Sequence, residues 1–156
     1  MKYFPEQVFV GLQEVPDEIS LIIPLAGCGH HCRGCHSPEY QDETKGVDLT
    51  VSVLEHLLED YRDKCSCVCI FGGEHGSNTL SLICDLALSM GYTTALYSGY
   101  NKLWDIPYTV LKKLDYLKLG EYVQELGGLA EKTTNQRMYR IDEFGIPKDI
   151  TKEFWK

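Results

Sequence analysis

The strongest constraint on the fold of this chain is a pattern that occurs three times: a short apolar segment that runs directly into a glycine-bearing loop. The segments 18–25, Cys67–Phe71 and Thr93–Tyr97 have the length and composition of buried strands. Helical patterns over 51–61 and 79–90 separate them along the chain, and Thr50 is the predicted N-cap of the first helix. This alternation predicts an α/β fold in which parallel strands are joined by right-handed crossovers.

The rest of the chain extends this pattern with weaker signals. The sequence predicts a short helix over 110–114, a fourth strand over Tyr116–Leu119 and a further strand over 138–141. Four or five strands are too few to close an eight-stranded barrel, so we expect an open partial (β/α) barrel with a mostly parallel sheet. Ligands of such sheets bind at the carboxyl ends of the strands, where the glycine-bearing loops meet.

Length and composition limit both the number of domains and the partners. The 156 residues fit a single domain, 1–156, and a chain that is 44% hydrophobic and 24% charged is expected to fold as a soluble globule. The net charge of -8 argues against nucleic acid as a partner. The apolar run 21–26 is too short to cross a membrane, so we expect no membrane partner and a cytoplasmic location.

Three cysteines follow the first predicted strand, and their loop carries the clearest chemical signal. Cys28, Cys32 and Cys35 are separated by three and then two residues, a spacing at which one loop can wrap around one face of an iron–sulfur cubane. A 4Fe-4S cluster normally takes four thiolates. With three, one iron would remain open to chelate the amino and carboxylate groups of a small molecule.

Structural zinc is the main alternative for this loop. The three cysteines and one neighbouring histidine would make a four-ligand zinc site, and spacing alone leaves that possibility open. The candidate histidines are His30, His31 and His36. Glycines are expected to let the loop backbone adopt left-handed conformations around the metal. These glycines are Gly27, Gly29 and Gly34.

The four later cysteines are expected to pack in the core. Cys65, Cys67 and Cys69 alternate along a predicted strand and would share one of its faces. Cys84 lies on a predicted apolar helix. Free cysteine is among the most buried residue types, and small apolar side chains suit a buried parallel strand, so we favour packing over a second metal site.

The cysteine spacing resembles the signature of the radical S-adenosylmethionine superfamily. The resemblance implies two cofactors, a 4Fe-4S cluster and S-adenosylmethionine, whose reductive cleavage yields a 5'-deoxyadenosyl radical. The residue before the third cysteine is usually aromatic in that superfamily, whereas here it is Gly34. In this respect the loop resembles that of the anaerobic ribonucleotide reductase activating enzymes, and the resemblance extends over residues 28–139.

The resemblance also implies that other strand-end loops bind S-adenosylmethionine. Residues 71–74 resemble the Gly-Gly-Glu motif that binds the methionine amino group, residues 97–99 resemble an aromatic-Ser/Thr-Gly element, and Lys118 would neutralise the methionine carboxylate. The cofactor-binding residues implied are Gly34, His36, Gly72, Gly73, Glu74, Ser98 and Lys118, beside the metal ligands Cys28, Cys32 and Cys35.

The activity that the resemblance implies is removal of a hydrogen atom from a glycine of the large subunit of anaerobic ribonucleotide reductase. That subunit would be the protein substrate, and a flavodoxin-like or other donor would supply the electron. No catalytic residue is expected beyond the cluster and the cofactor, because the cofactor carries the difficult chemistry. The alternatives are another compact radical enzyme, such as 7-carboxy-7-deazaguanine synthase, and a zinc-binding interaction module.

Overall fold

The computed structural model describes residues 1–155 of the chain. The strands there are β1 (Lys2–Tyr3), β2 (Phe9–Gly11), β3 (Ser20–Pro24), β4 (Val47–Asp48), β5 (Cys67–Phe71), β6 (Thr93–Tyr97), β7 (Tyr116–Leu119), β8 (Arg137–Ile141) and β9 (Pro147–Asp149). The α-helices of the same range are α1 (Val51–Asp60), α2 (Ser77–Ser89) and α3 (Tyr108–Leu111). Short 3-10 helices occupy Pro5–Gln7, Pro38–Gln41, Leu103–Asp105 and Thr151–Phe154.

One mixed sheet contains seven of these strands, in the order β2-β3-β5-β6-β7-β8-β9. The four central strands, β3, β5, β6 and β7, run parallel to one another. Strand β2 at one edge and strands β8 and β9 at the other pair antiparallel. The register pairs Pro24 with Phe71 and Phe71 with Tyr97, so the carboxyl ends of β3, β5 and β6 lie side by side. The open partial barrel stays a prediction.

The sheet is buried on both faces. On one face, Leu21 and Ile23 of β3 belong to the same buried cluster as Leu54 and Leu58 of α1 and Ile83 of α2. On the other face, a smaller apolar cluster joins the sheet to the segments that flank it, and its members include Val15, Ile22, Ala95, Met138 and Ile150. Burial of a Leu or Ile side chain stabilises a fold by about 1.5–3 kcal/mol, so the larger cluster fixes the helices against the sheet.

The boundaries of the helices follow local chemistry. The hydroxyl of Thr50 accepts a hydrogen bond from the Val53 amide at 3.2 Å, which confirms the predicted N-cap of α1. Gly91, two residues after the end of α2, has a φ of +88°. Helix α3 begins at Tyr108, earlier than the predicted 110–114, because the Pro107 carbonyl accepts the amides of Val110 and Leu111.

No pattern in the sequence predicts the two-residue strands or the antiparallel edge strands β2 and β9. Strand β1 pairs with β4, and the Lys2 carbonyl accepts the Ala26 amide at 3.0 Å. Tyr3 also bridges to Leu25, just beyond β3. The N-terminal segment therefore braces the chain immediately before the first cysteine. None of the helices within residues 1–155 combines the length and apolarity needed to cross a bilayer.

Candidate metal and cofactor site

A single cavity of about 280 Å³ lies where the central strands end, and its wall gathers most of the predicted site residues. The loop after β3, called here the cysteine loop (residues 27–36), contributes all three candidate metal ligands. The following strands contribute polar groups. The predicted residues that line the cavity are Cys28, Cys32, Cys35, His36, Gly72, Glu74, Ser98 and Lys118.

The start of the cysteine loop is fixed by the backbone of the 3-10 helix that follows it. The Tyr40 carbonyl accepts the amides of Gly27, at 2.6 Å, and Cys28, at 2.8 Å. Gly27 has a φ of +87°, and a Cβ there would lie 2.9 Å from the ring of His75. His75 is exposed and packs beside Gly27, outside the cavity wall. The loop therefore leaves β3 along one constrained path.

The left-handed positions of the cysteine loop differ in part from the prediction. Gly27 and Gly34 have positive φ as expected, but Gly29 does not, and His31 takes the left-handed conformation with a φ of 49°. The prediction for Gly29 was wrong because glycine only permits a left-handed turn. The hydrogen bonds of the folded loop decide which residue makes it.

The three cysteines are free thiols of intermediate burial. Burial raises the pKa of the Cys28 thiol, a backbone hydrogen bond at His30 opposes the rise, and Glu74 adds to it. The raised pKa favours the protonated thiol, whereas a bound metal favours the thiolate, because metal ligation requires thiolates and releases protons. Thiols beside the apolar wall of Leu25 and Phe71 suit an iron–sulfur cluster. Within residues 1–155, no three His, Cys, Asp or Glu side chains converge tightly enough to hold one metal ion.

Glu74 presents a buried carboxylate to the cavity. The side chain follows β5 and is 7% exposed, and its Oε1 accepts the amide of Gly99 at 3.0 Å. The Nε2 of His30 lies 3.4 Å from the same oxygen. Burial acts to raise the pKa of Glu74, whereas hydrogen bonds from His30 and Ser98 lower it. Together the lowering effects outweigh burial, so the pKa of Glu74 falls below its ordinary value. The hydrogen bond to Glu74 in turn raises the pKa of His30.

Lys118 presents the opposite charge. Its Nζ donates to the carbonyl oxygens of Gly120, at 2.7 Å, and Ser98, at 3.3 Å, and it lies 5.9 Å from the centre of the Tyr97 ring. Burial lowers the pKa of Lys118 to about 8, while Cys32 and Glu74 act to raise it. Leu117 and Leu119 belong to the larger buried cluster between the sheet and helices α1 and α2, called here the helix-side core. Lys118 therefore faces the cavity, on the opposite side of β7, because successive side chains of a strand point to opposite faces.

Two of the predicted cofactor-binding glycines lie outside the cavity wall. Gly73 has a φ of +85°, and a Cβ there would lie 2.5 Å from the Cδ1 of Leu25, so this glycine permits close packing against Leu25. Gly34 has a φ of +76°, and a Cβ there would lie 3.0 Å from the Oε1 of Gln124. Gly72 does line the cavity, and its amide donates to the Tyr97 carbonyl at 3.2 Å.

Aromatic side chains form part of the wall, and the sequence predicted no individual role for three of them, Phe71, Tyr97 and Tyr122. Phe71 stacks on Tyr97 with ring centres 4.8 Å apart, and His36 lies 4.8 Å from Tyr122. Phe71 and Tyr97 could have been found, since each is the last residue of a predicted strand before a glycine-bearing loop. Tyr122 follows β7 in a polar stretch without periodicity, and no pattern in the sequence pointed to it.

The remaining cysteines are buried, as expected, but not on one face. Cys67 and Cys69 lie in the smaller core cluster, whereas Cys65 lies in the helix-side cluster with Cys84. The prediction that Cys65 shares a face with Cys67 and Cys69 was wrong. Strand β5 begins only at Cys67, so the alternation of side chains along the strand does not include Cys65. Burial raises the pKa of Cys67 and of Cys84 to about 12, which makes both thiols inert at neutral pH.

These features define the class as an α/β protein with three cysteines in one loop at the ends of its parallel strands. The sequence profile of the family described as "4Fe-4S single cluster domain" matches residues 19–141, a stretch that includes the whole cavity wall. The chain belongs to this family and is a 4Fe-4S cluster-binding domain, which favours the cluster over zinc. No curated protein and no solved structure matches the chain.

Proposed function

We propose that this protein is a radical S-adenosylmethionine enzyme that activates anaerobic ribonucleotide reductase. One observation carries the proposal: Glu74 and Lys118, of opposite charge and both buried, line the cavity that Cys28, Cys32 and Cys35 also line. The methionine end of S-adenosylmethionine is a zwitterion, so it requires an anionic and a cationic partner in one site. A cavity that served the metal alone would have no use for this pair of buried charges.

The roles of the two charged residues follow from their surroundings. The low pKa of Glu74 keeps it as a carboxylate, able to accept hydrogen bonds from the ligand's ammonium group. Lys118 would donate to the ligand's carboxylate, held in place by the carbonyls of Ser98 and Gly120. In the folded chain both groups are already desolvated and oriented, so binding needs little reorganisation.

The remainder of the wall would shield and orient the bound pair of cofactors. When bound, the cluster and S-adenosylmethionine supply reductive cleavage of a sulfonium bond and a carbon radical that removes a hydrogen atom. The rings of Phe71 and Tyr97 and the side chain of Leu25 exclude water from that space. The rings of His36 and Tyr122 offer flat surfaces for a nucleobase in the absence of an aromatic residue at position 34.

The proposed substrate is a glycine of the large reductase subunit. Gly34 before the third cysteine and the Tyr97-Ser98-Gly99 element support this choice within the superfamily, because both resemble the reductase activating enzymes. An external donor of the flavodoxin type would reduce the cluster. We propose no acid or base of this chain for the hydrogen transfer, since a hydrogen atom moves without one.

The test uses anaerobically reconstituted full-length protein. Reduced protein with S-adenosylmethionine should release 5'-deoxyadenosine and methionine, and addition of the large reductase subunit should give a glycyl-radical signal in electron paramagnetic resonance. Cys32→Ala should abolish both results. Cleavage without a glycyl signal on any reductase would favour a small-molecule enzyme such as 7-carboxy-7-deazaguanine synthase. Protein that holds zinc and no iron or sulfide would favour a binding module.

A further inference from the structure

The ring of His30 joins three strand-end loops at the wall of the cavity. It belongs to the cysteine loop after β3, and its Nε2 lies 3.4 Å from the Oε1 of Glu74, in the loop after β5. It also makes a T-shaped contact with the ring of Tyr100, in the loop after β6, with ring centres 4.9 Å apart and an interplanar angle of 88°. No other residue of the cysteine loop makes this set of contacts in the part of the chain described here.

The loop after β6 is shaped to receive this ring. A Cβ on Gly99 would lie 2.5 to 2.9 Å from three atoms of the His30 imidazole, closer than real Cβ contacts allow. Gly99 also donates its amide to the Oε1 of Glu74 at 3.0 Å. The absence of a side chain at position 99 therefore permits the imidazole and the amide to reach one carboxylate oxygen together.

The neighbouring histidine supplies a comparison within the same loop. His31 is exposed, lies outside the cavity wall, and its Nδ1 is 3.0 Å from the Oε1 of Gln41. Both histidines thus lie between Cys28 and Cys32, but His30 contacts Glu74 whereas His31 contacts Gln41. Of these two histidines, His30 is the one that contacts Glu74 within residues 1–155.

We propose that His30 is a positioning residue, which holds the Glu74 carboxylate for the ammonium group of S-adenosylmethionine and ties its orientation to the cysteine loop. Because a carboxylate only accepts, Nε2 carries the hydrogen in this contact. The Gly99 amide donates to Oε1 and the Nε2 of His30 lies 3.4 Å from the same oxygen, so Oε2 takes part in neither contact. The Glu74 carboxylate also takes a hydrogen bond from Ser98, and Oε2 is the oxygen that we assign to the ligand. This inference rests on the proposed function, since it requires S-adenosylmethionine as the ligand.

The test is calorimetric titration of S-adenosylmethionine into oxidised, cluster-loaded protein, where no turnover occurs, with iron and sulfide measured on each sample. His30→Phe keeps a ring against Gly99 and Tyr100 but removes the N–H donor. It should hold the same iron and bind the ligand about 10-fold more weakly, the size expected for a hydrogen bond to a charged group. His31→Asn, which tolerates the left-handed backbone, is the matched control and should bind as wild type does.

Two further measurements separate positioning from a structural role. His30→Gln retains an N–H donor and should recover much of the affinity. In a Glu74→Gln background, His30→Phe should cause no further loss, because the coupling acts through the carboxylate. Equal affinities of His30→Phe and wild type would overturn this inference alone, as would iron loss in His30→Phe with full iron in His31→Asn. Wild type that carries its cluster but binds no S-adenosylmethionine would overturn the proposed function as well.

Discussion

The ammonium group of Lys118 donates a hydrogen bond to the carbonyl oxygen of Ser98, which lies 3.3 Å away at the end of the adjacent parallel strand. The reverse connection is also present, because the Ser98 amide donates to the Lys118 carbonyl at 2.9 Å. The lysine is thus fixed by backbone groups at the carboxyl edge of β6 and β7. It remains desolvated without a carboxylate partner at hydrogen-bond distance among residues 1–155, which leaves its charge for a ligand.

Binding of S-adenosylmethionine to the cluster-loaded protein should weaken at alkaline pH through Lys118. Burial lowers the pKa of this lysine to about 8, so its positive charge is present below that pH and lost above it. Between pH of about 7 and about 9 the affinity should fall by about 10-fold from this cause. Titration calorimetry at the two pH values measures the change.

The Lys118→Met variant separates this effect from titration of the ligand's own amine, which remains in the variant. The variant should bind weakly at both pH values and with a smaller pH dependence than wild type. Lys113→Met is the control: Lys113 pairs with Asp85 at 2.6 Å outside the cavity and should leave the wild-type profile unchanged. Identical pH profiles for wild type and Lys118→Met would contradict the role of Lys118.

Glu74→Gln should weaken S-adenosylmethionine binding about 10- to 100-fold without loss of iron. The substitution keeps the shape of a buried side chain but removes the charge that meets the ligand's ammonium group, and hydrogen bonds to charged groups contribute about 1.5–3 kcal/mol. Glu121→Gln, at a residue outside the cavity wall, is the matched control. A Glu74→Gln protein with wild-type affinity would place the ammonium group elsewhere.

Each of Cys28→Ala, Cys32→Ala and Cys35→Ala should lose the cluster after anaerobic reconstitution, because thiolates ligate its irons. Iron and sulfide analysis and the visible absorption of the cluster measure the loss. Cys65→Ala serves as the control, since Cys65 packs in the helix-side core. It should lower stability but keep full iron. Loss of iron in Cys65→Ala, or full iron in any of the three loop variants, would show that the ligand set differs.

Gly34→Ala should destabilise the metal-free chain by about 1–2 kcal/mol, because Gly34 has a φ of +76°, where a Cβ is strained. Gly29→Ala is the matched control in the same loop: its φ is not positive, and an added Cβ would meet no atom within 4 Å. Urea unfolding under reducing conditions measures both. Equal effects of the two substitutions would mean that the loop does not hold this backbone conformation without metal.

Much of the parallel core could be predicted because its signals are local. The strands Cys67–Phe71, Thr93–Tyr97 and Tyr116–Leu119 were predicted at the bounds that the structure has, since each is a compact apolar run between polar or glycine-bearing segments. The signal for the N-cap of α1, Thr50, was equally local. The edge strands β2 and β9 were missed because three residues show no usable alternation, and their pairing depends on partners distant in sequence.

The sequence by itself determined that three cysteines with the spacing of metal ligands lie in one short loop, because that spacing needs no tertiary contact to be recognised. The family profile, and not the spacing, favours a 4Fe-4S cluster over zinc. The sequence also determined that Glu74 and Lys118 lie at strand ends, since strand periodicity is local. Only the tertiary structure decided that His30 and Gly99 contact Glu74, that Tyr40 fixes the start of the cysteine loop, and that Gly73 packs against Leu25. These contacts join segments far apart in the chain, and their geometry depends on how the strands pack side by side.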